Sequence, residues 1–194
     1  MRPAGVQRAA VGVVLAIGMI NLAEAAYLPT KAWLAQVLLH RAWQRGERAP
    51  DIDTQALKPW PWADTYPVAR LTTDASDDEV FILSGGSGRT LAFGPGHLQA
   101  TVLPGEVGNS VIAGHRDSHF SFLQNLKIGD ALIIDRRDGE RIVFDITSLD
   151  IVDSRDATLR LDADGAVMTL VTCYPFNAVR PGGSKRYVVT AHRR

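Results

Sequence analysis

From Glu79 to the C-terminus, short β-branched runs alternate with glycine, proline, asparagine and aspartate, and this punctuation limits the fold more than any other feature. Val80-Phe81-Ile82-Leu83 stops at Ser84-Gly85-Gly86-Ser87-Gly88, and Leu91-Ala92-Phe93 stops at Gly94-Pro95-Gly96-His97. Asn109 to Gly114, Ala131 to Asp135, Arg141 to Thr147, Leu149 to Val152, Val167 to Thr172 and Arg186 to Thr190 follow. Such side chains suit a pleated, half-buried surface, whereas glycine and proline interrupt a ladder. Asp138-Gly139 between two of the runs is a hairpin signal, and Phe120 to Leu126 reads as one short helical turn. Roughly eight short strands with little helix predict an all-β protein, an eight-stranded closed or nearly closed β-barrel, since closure removes exposed edges.

The N-terminal part has a different character. Ala9 to Leu28 is the most apolar stretch, preceded by Arg2 and Arg8, with Asn21 and Glu24 as its only strongly polar members. About twenty residues of helix span roughly 30 Å, the thickness of a bilayer core. The segment 1–30 therefore reads as a signal-anchor or transmembrane helix, with the basic start in the cytoplasm and the remainder outside. The competing reading is a signal peptide cleaved at Ala23-Glu24-Ala25. Residues 31–58 read as an amphipathic helix from Lys31 to Gln44, with Trp33, Leu34, Val37, Leu38, Arg41 and Ala42 at helical spacing, then a polar loop from Arg45 to Pro50. That helix either packs on the globular part or lies at a membrane interface with Trp33 and Trp43 as headgroup anchors. Pro59-Trp60-Pro61-Trp62 and Pro67 impose extended backbone where the chain joins a globular domain at 59–194, with Trp60 or Trp62 covering one end.

Of 194 residues, 46% are hydrophobic and the formal net charge is zero, so there is no basic footprint for nucleic acid. A single cysteine excludes an intrachain disulfide and a zinc ribbon. The glycine-rich turn at Gly85–Gly88 lacks the Gly-Lys-Ser/Thr ending of a phosphate loop. Cys173 closes the run Thr169-Leu170-Val171-Thr172 and precedes Tyr174-Pro175-Phe176, so it sits where a strand runs out and a loop opens room for a ligand. Alone it reads most simply as a small buried hydrophobe.

Two further strand ends alter that reading: Gly114-His115-Arg116-Asp117 and Arg186. An imidazole takes a thiol's proton and returns it to a leaving amine. An arginine offers a fixed fork of donors to a carbonyl that becomes an oxyanion. A barrel brings separate strand ends to one rim. Asp117, Thr172 and Tyr174 are candidate supporting residues; Asp117 either orients His115 or is a solvated turn acid. His97 reads as structural or as part of the cleft rim, and Arg180 and Lys185, around the turn Pro181-Gly182-Gly183, as solvated side chains. No cofactor or metal is expected. His115 and His119 fall in a turn without further ligands, and Asp74, Asp77, Asp78 and Glu79 read as a solvated acidic turn.

Ala113 to Phe120, Leu170 to Phe176 and Arg186-Tyr187-Val188-Val189 together resemble the signature of the sortases, and in particular a proteobacterial branch with Gly-His-Arg-Asp and Thr-Cys-Tyr-Pro-Phe motifs. Leu91 to His97 and Trp60-Pro61-Trp62 resemble it too, so the similarity runs from about Pro59 to the C-terminus. The resemblance implies an eight-stranded sortase barrel with His115, Cys173 and Arg186 as catalytic residues. It implies a cysteine transpeptidase that cleaves a Leu-Pro-x-Thr-Gly type sorting motif between Thr and Gly. The implied partners are a substrate protein carrying that motif, an amine acceptor in the cell envelope, and the bacterial inner membrane through the N-terminal helix. Two alternatives stay open: a cysteine endopeptidase with water as acceptor, and a non-catalytic, membrane-tethered binding barrel. An L,D-transpeptidase is disfavoured because the Ser-His-Gly-Cys motif of that family is absent.

Overall fold

The computed structural model describes residues 4–49, 51–180 and 182–194. Expectations placed on Arg2, Pro50 and Pro181, and on the side chains of Arg8, Ala23, Asp77 and Asp78, lie outside what is described. The chain up to Val37 is one compact unit and Leu38–Arg194 another. Helix α1 covers Ala4–Arg48. Its first part exposes Val14, Met19, Leu22 and Tyr27 and is apolar and long enough to cross a membrane. Two of its polar side chains bond within the helix, Asn21 Nδ2 to the Ile17 carbonyl at 2.8 Å and Thr30 Oγ1 to the Ala26 carbonyl at 2.7 Å. Such internal bonds lower the cost of polar atoms in an apolar surrounding.

The second unit is a closed barrel. Its strands are β1 (Pro67–Thr73), β2 (Ser76–Ser84), β3 (Gly96–His97), β4 (Gly108–Ala113), β5 (Ala131–Arg136), β6 (Arg141–Asp153), β7 (Ala166–Cys173) and β8 (Lys185–Arg193), ordered β1-β2-β3-β4-β7-β8-β6-β5 around the ring. Pairing is antiparallel except at β2–β3 and β4–β7. The inward residues form the core, with Leu71, Ile82, Ile112, Leu132, Ile134, Phe144, Met168 and Leu170 buried together. Phe120, fully buried, joins them from the loop after β4, just ahead of the 3₁₀ turn Ser121–Asn125. A short helix α2, Gly88–Leu91, precedes β3.

Several expectations need correction. Arg45–Pro50 was expected to be loop, yet α1 continues to Arg48. The reason is a buried stripe at Leu39, Ala42, Trp43 and Gly46, the i, i+3, i+4, i+7 pattern of a helix face. Arg45 also donates to the carbonyls of Ala56 and Lys58. Leu39 and Trp43 pack on Phe81 and Leu83, so this part of the helix is a packed element and Trp43 is not open to a headgroup region. Trp60 meets Phe93 edge-on at 4.9 Å, while Trp62 is 83% exposed and covers nothing. Arg141 to Thr147 and Leu149 to Val152 are one strand, not two: β6 pairs with β5 over Arg141–Asp145 and with β8 from Phe144 to Asp153, and a register irregularity between Ile146 and Ser148 lets the pairing continue past Thr147. Leu91–Phe93 is no strand either, since Leu91 ends the helix Gly88–Leu91 and a turn follows. The six runs that remain reach eight with β1 and β3, which read from sequence as an extended lead-in and a turn.

Candidate active site

β4 and β7 run parallel with Ala113 opposite Val171. His115 and Cys173 each lie two residues further on, so the parallel register leaves them in step at one rim. Two bonds extend the pairing beyond β4. Gly114 N–H donates to the Val171 carbonyl at 3.0 Å. Thr172 Oγ1 donates to the Gly114 carbonyl at 2.7 Å. Thr172 thus fastens the residue before His115 to the residue before Cys173. Phe120 pins the other side of the loop: its N–H donates to the His115 carbonyl at 3.1 Å, and its ring lies 2.6 Å from where a Cβ on Gly114 would stand, so only glycine fits there. His115 and Cys173 are both exposed.

Cys173 faces Arg186 across the antiparallel β7–β8 ladder. Alternation turns Arg186, Val188 and Thr190 to one side of β8, where with Val167, Thr169 and Val171 of β7 they line a groove of about 670 Å³. The segment 154–163 forms its other wall. Lys185 does not line this groove. Arg186 uses Nη1 for the carbonyls of Gly183 (2.6 Å) and Lys185 (2.9 Å), which leaves Nε and Nη2 for a ligand.

Asp117 gives both carboxylate oxygens to Arg116, at 2.6 and 2.9 Å. That hydrogen-bonded ion pair holds the Asp117 carboxyl below the usual carboxylate range and raises Arg116 further. Burial, and then the charge of His115, push His119 below an ordinary imidazole. Tyr174 stacks on Tyr187 at 6.3 Å, and Phe176 meets Tyr187 edge-on at 5.2 Å, an aromatic cluster beneath the loop after Cys173. Burial, then Tyr174, raise the Tyr187 phenol. His97 is buried and its Nε2 donates to the Val102 carbonyl at 2.8 Å, a structural role. Among the described residues no three His, Cys, Asp or Glu side chains are grouped to hold a metal.

Two residues went unnoticed in the sequence. Arg116 is only 8% exposed and bonds to the loop after Cys173. Asn109, buried at the start of β4, donates through Nδ2 to the Arg160 carbonyl (2.8 Å) and accepts from Thr169 Oγ1 (2.8 Å), while its N–H donates to the Leu161 carbonyl. It hangs the groove wall on the barrel. An arginine inside a turn and a polar residue opening a strand are ordinary surface signals, so neither role was visible.

The architecture is that of a closed eight-stranded β-barrel whose single cysteine stands at the end of a strand, with a groove along β7 and β8. More particularly, the chain belongs to the sortase family: the family model for the sortase domain matches residues 71–194. The chain is 34% identical over 116 residues to sortase D of Bacillus subtilis (strain 168), covering 59% of this chain and 58% of that protein. It thus spans less than two thirds of that relative's length. Sortase A from Corynebacterium diphtheriae is similar in structure, with a TM-score of 0.61 and 26% identity over 82% of this chain and 84% of that one. A Clostridium perfringens sortase D5 transpeptidase gives a TM-score of 0.59 and 27% identity over 66% and 79% of the two chains.

Proposed function

We propose that this protein is a membrane-anchored cysteine transpeptidase of the proteobacterial sortase type, acting on a Leu-Pro-x-Thr-Gly-like sorting motif. The observation that carries the proposal is the strand register, parallel at β4–β7 and antiparallel at β7–β8, with Cys173 between His115 and Arg186. Cys173 Sγ, its proton taken by His115, attacks the Thr carbonyl carbon of the motif. Arg186 donates to the carbonyl oxygen as it becomes an oxyanion. As the tetrahedral intermediate collapses, the Thr–Gly C–N bond breaks and His115 protonates the departing amine. The resulting thioester is attacked by an acceptor amine of the cell envelope, a new amide forms, and the thiol is restored. Thr172 supports the pair through the backbone, and Tyr174 through the aromatic cluster on which the loop after Cys173 rests.

The full chain in detergent, incubated with a motif-bearing peptide and examined by intact mass, should gain the mass of the acyl fragment on Cys173. Adding an amine should release that fragment as the amide. Release as free acid only, with the amine ignored, makes the protein an endopeptidase. No adduct, and a Cys173→Ala variant that binds the peptide unchanged, makes it a binding barrel. The apolar start of α1 supports a single-pass anchor with the barrel on the extracytoplasmic side of the inner membrane. Protease accessibility in spheroplasts tests this: a barrel protected until lysis reverses the topology, and a soluble form starting near Ala26 means cleavage.

A further inference from the structure

Beyond Tyr174, whose N–H makes a ladder-type bond to the Lys185 carbonyl, the chain leaves the barrel at Pro175. Proline has no N–H to give, and nothing in the strand pairing holds the loop after the nucleophile against the loop that carries His115. Arg116 does. Its Nη1 donates to the Pro175 carbonyl at 2.6 Å and its Nη2 to the Ala178 carbonyl at 3.0 Å, while Nε and Nη2 hold Asp117. A guanidinium taken out of water is costly unless its donors are matched, and here they are shared between one carboxylate and two carbonyls.

The two ends of this strap lie next to the proposed pair. Arg116 follows His115 directly, and Pro175 stands two residues after Cys173. Thr172 ties the same two segments on the barrel side, through the Gly114 carbonyl. The pair is therefore fastened on both flanks, by a hydroxyl before it and a guanidinium after it. Cys173 and His115 are themselves exposed, so burial does not fix them as it would a core pair. We infer that Arg116 is a positioning residue: its buried guanidinium straps the Pro175–Ala178 loop to the His115 loop and so fixes the separation of thiol and imidazole.

The inference rests on the reading of Cys173 and His115 as a reacting pair. Lysine keeps the charge but loses the planar fork, so Arg116→Lys cannot span Asp117 and both carbonyls. A displacement of about 1 Å costs a reacting pair up to ~10²-fold. The test is a double-mutant cycle that needs no sorting peptide. Cys173 of the full chain in detergent is alkylated with iodoacetamide at neutral pH, in wild type and His115→Gln. The ratio of the two rates is the imidazole's contribution to thiol reactivity. It should be on the order of 10-fold or more, a part of the ~10²- to 10⁴-fold range of proton-transfer assistance. The cycle is repeated on Arg116→Lys, where the ratio should fall below about twofold although Cys173 still reacts. A merely structural role would change all rates together and leave the ratio intact. Arg116→Gln, which reaches a single carbonyl, carries the same cycle if Arg116→Lys does not fold. An unchanged ratio in a folded Arg116 variant overturns the inference and leaves the catalytic reading standing. A wild-type ratio near one sinks the pair itself, and the inference with it.

Discussion

Replacing Asn109 by alanine should loosen the groove wall on the barrel, although the N–H bond to the Leu161 carbonyl stays, while leaving the thiol rim intact. The side chain makes two bonds, to a buried partner, Thr169 Oγ1, and to the backbone of an exposed one, the Arg160 carbonyl. Thr169 is 2% exposed, so its hydroxyl would lose its partner away from water, which costs roughly 1–3 kcal/mol. The Arg160 carbonyl rehydrates once the wall lifts, so the second bond counts only about 0.5–1.5 kcal/mol. Together the loss is about 1.5–4.5 kcal/mol, which raises the open population of segment 154–163 by roughly 10- to 1,600-fold at about 1.4 kcal/mol per decade. Trypsin reads this at the right place, because the Arg160 carbonyl that Asn109 holds belongs to the peptide bond that trypsin cuts. Under conditions where opening is fast relative to cleavage, the cutting rate tracks that population. A second change checks the accounting. Thr169→Val removes the stranded hydroxyl, so the double variant should lose less than the two single losses added, by about 1 kcal/mol. If Asn109→Ala leaves cleavage after Arg160 within about threefold of wild type, the wall is held by something else and the bond count is wrong.

Other outcomes follow from the same geometry. Arg186→Ala and Arg186→Lys should each slow single-turnover acylation by on the order of 10²- to 10³-fold while iodoacetamide still labels Cys173, and Lys185→Ala should stay near wild type. The reverse pattern would place the wrong residue in the groove. Asp135 is held below the usual carboxylate range first by Arg141 and also by Arg70, with bonds as short as 2.6 Å. A depressed carboxyl stabilises the fold above its unfolded value and loses that contribution as pH falls, so Asp135→Asn should flatten the loss of stability as pH falls through and below the ordinary aspartate value of about 3.9 in acid titrations. An unchanged acid limb would mean the Arg70–Asp135–Arg141 cluster contributes nothing. Gly114→Ala must displace the Phe120 ring, and overpacking of this kind costs about 1–3 kcal/mol in chemical denaturation.

Legible in the residues alone were most of the strand runs, the apolar N-terminal helix, the hairpin at Asp138-Gly139 and the position of the lone thiol at a strand end. Each is a local property: a period of two, a β-branched run, or a glycine that alone accepts the Gly139 φ of +85°. The family signature also singled out His115, Cys173 and Arg186. Strand partnership needed the folded chain. Alternation shows that a strand has a buried face but not which strand lies beside it, so the parallel β4–β7 contact, between residues some sixty apart, is absent from any local pattern. The same limit explains Trp43 and Trp62, alike in sequence, one buried against Phe81 and the other bare. It explains the last turn of α1, which a polar composition read as loop and a buried stripe made helix. Arg116 is the sharpest case. A charged side chain next to a histidine is solvated by default. It became a buried strap only because the fold delivers the carbonyls of Pro175 and Ala178, whose residues are distant in sequence, to its guanidinium.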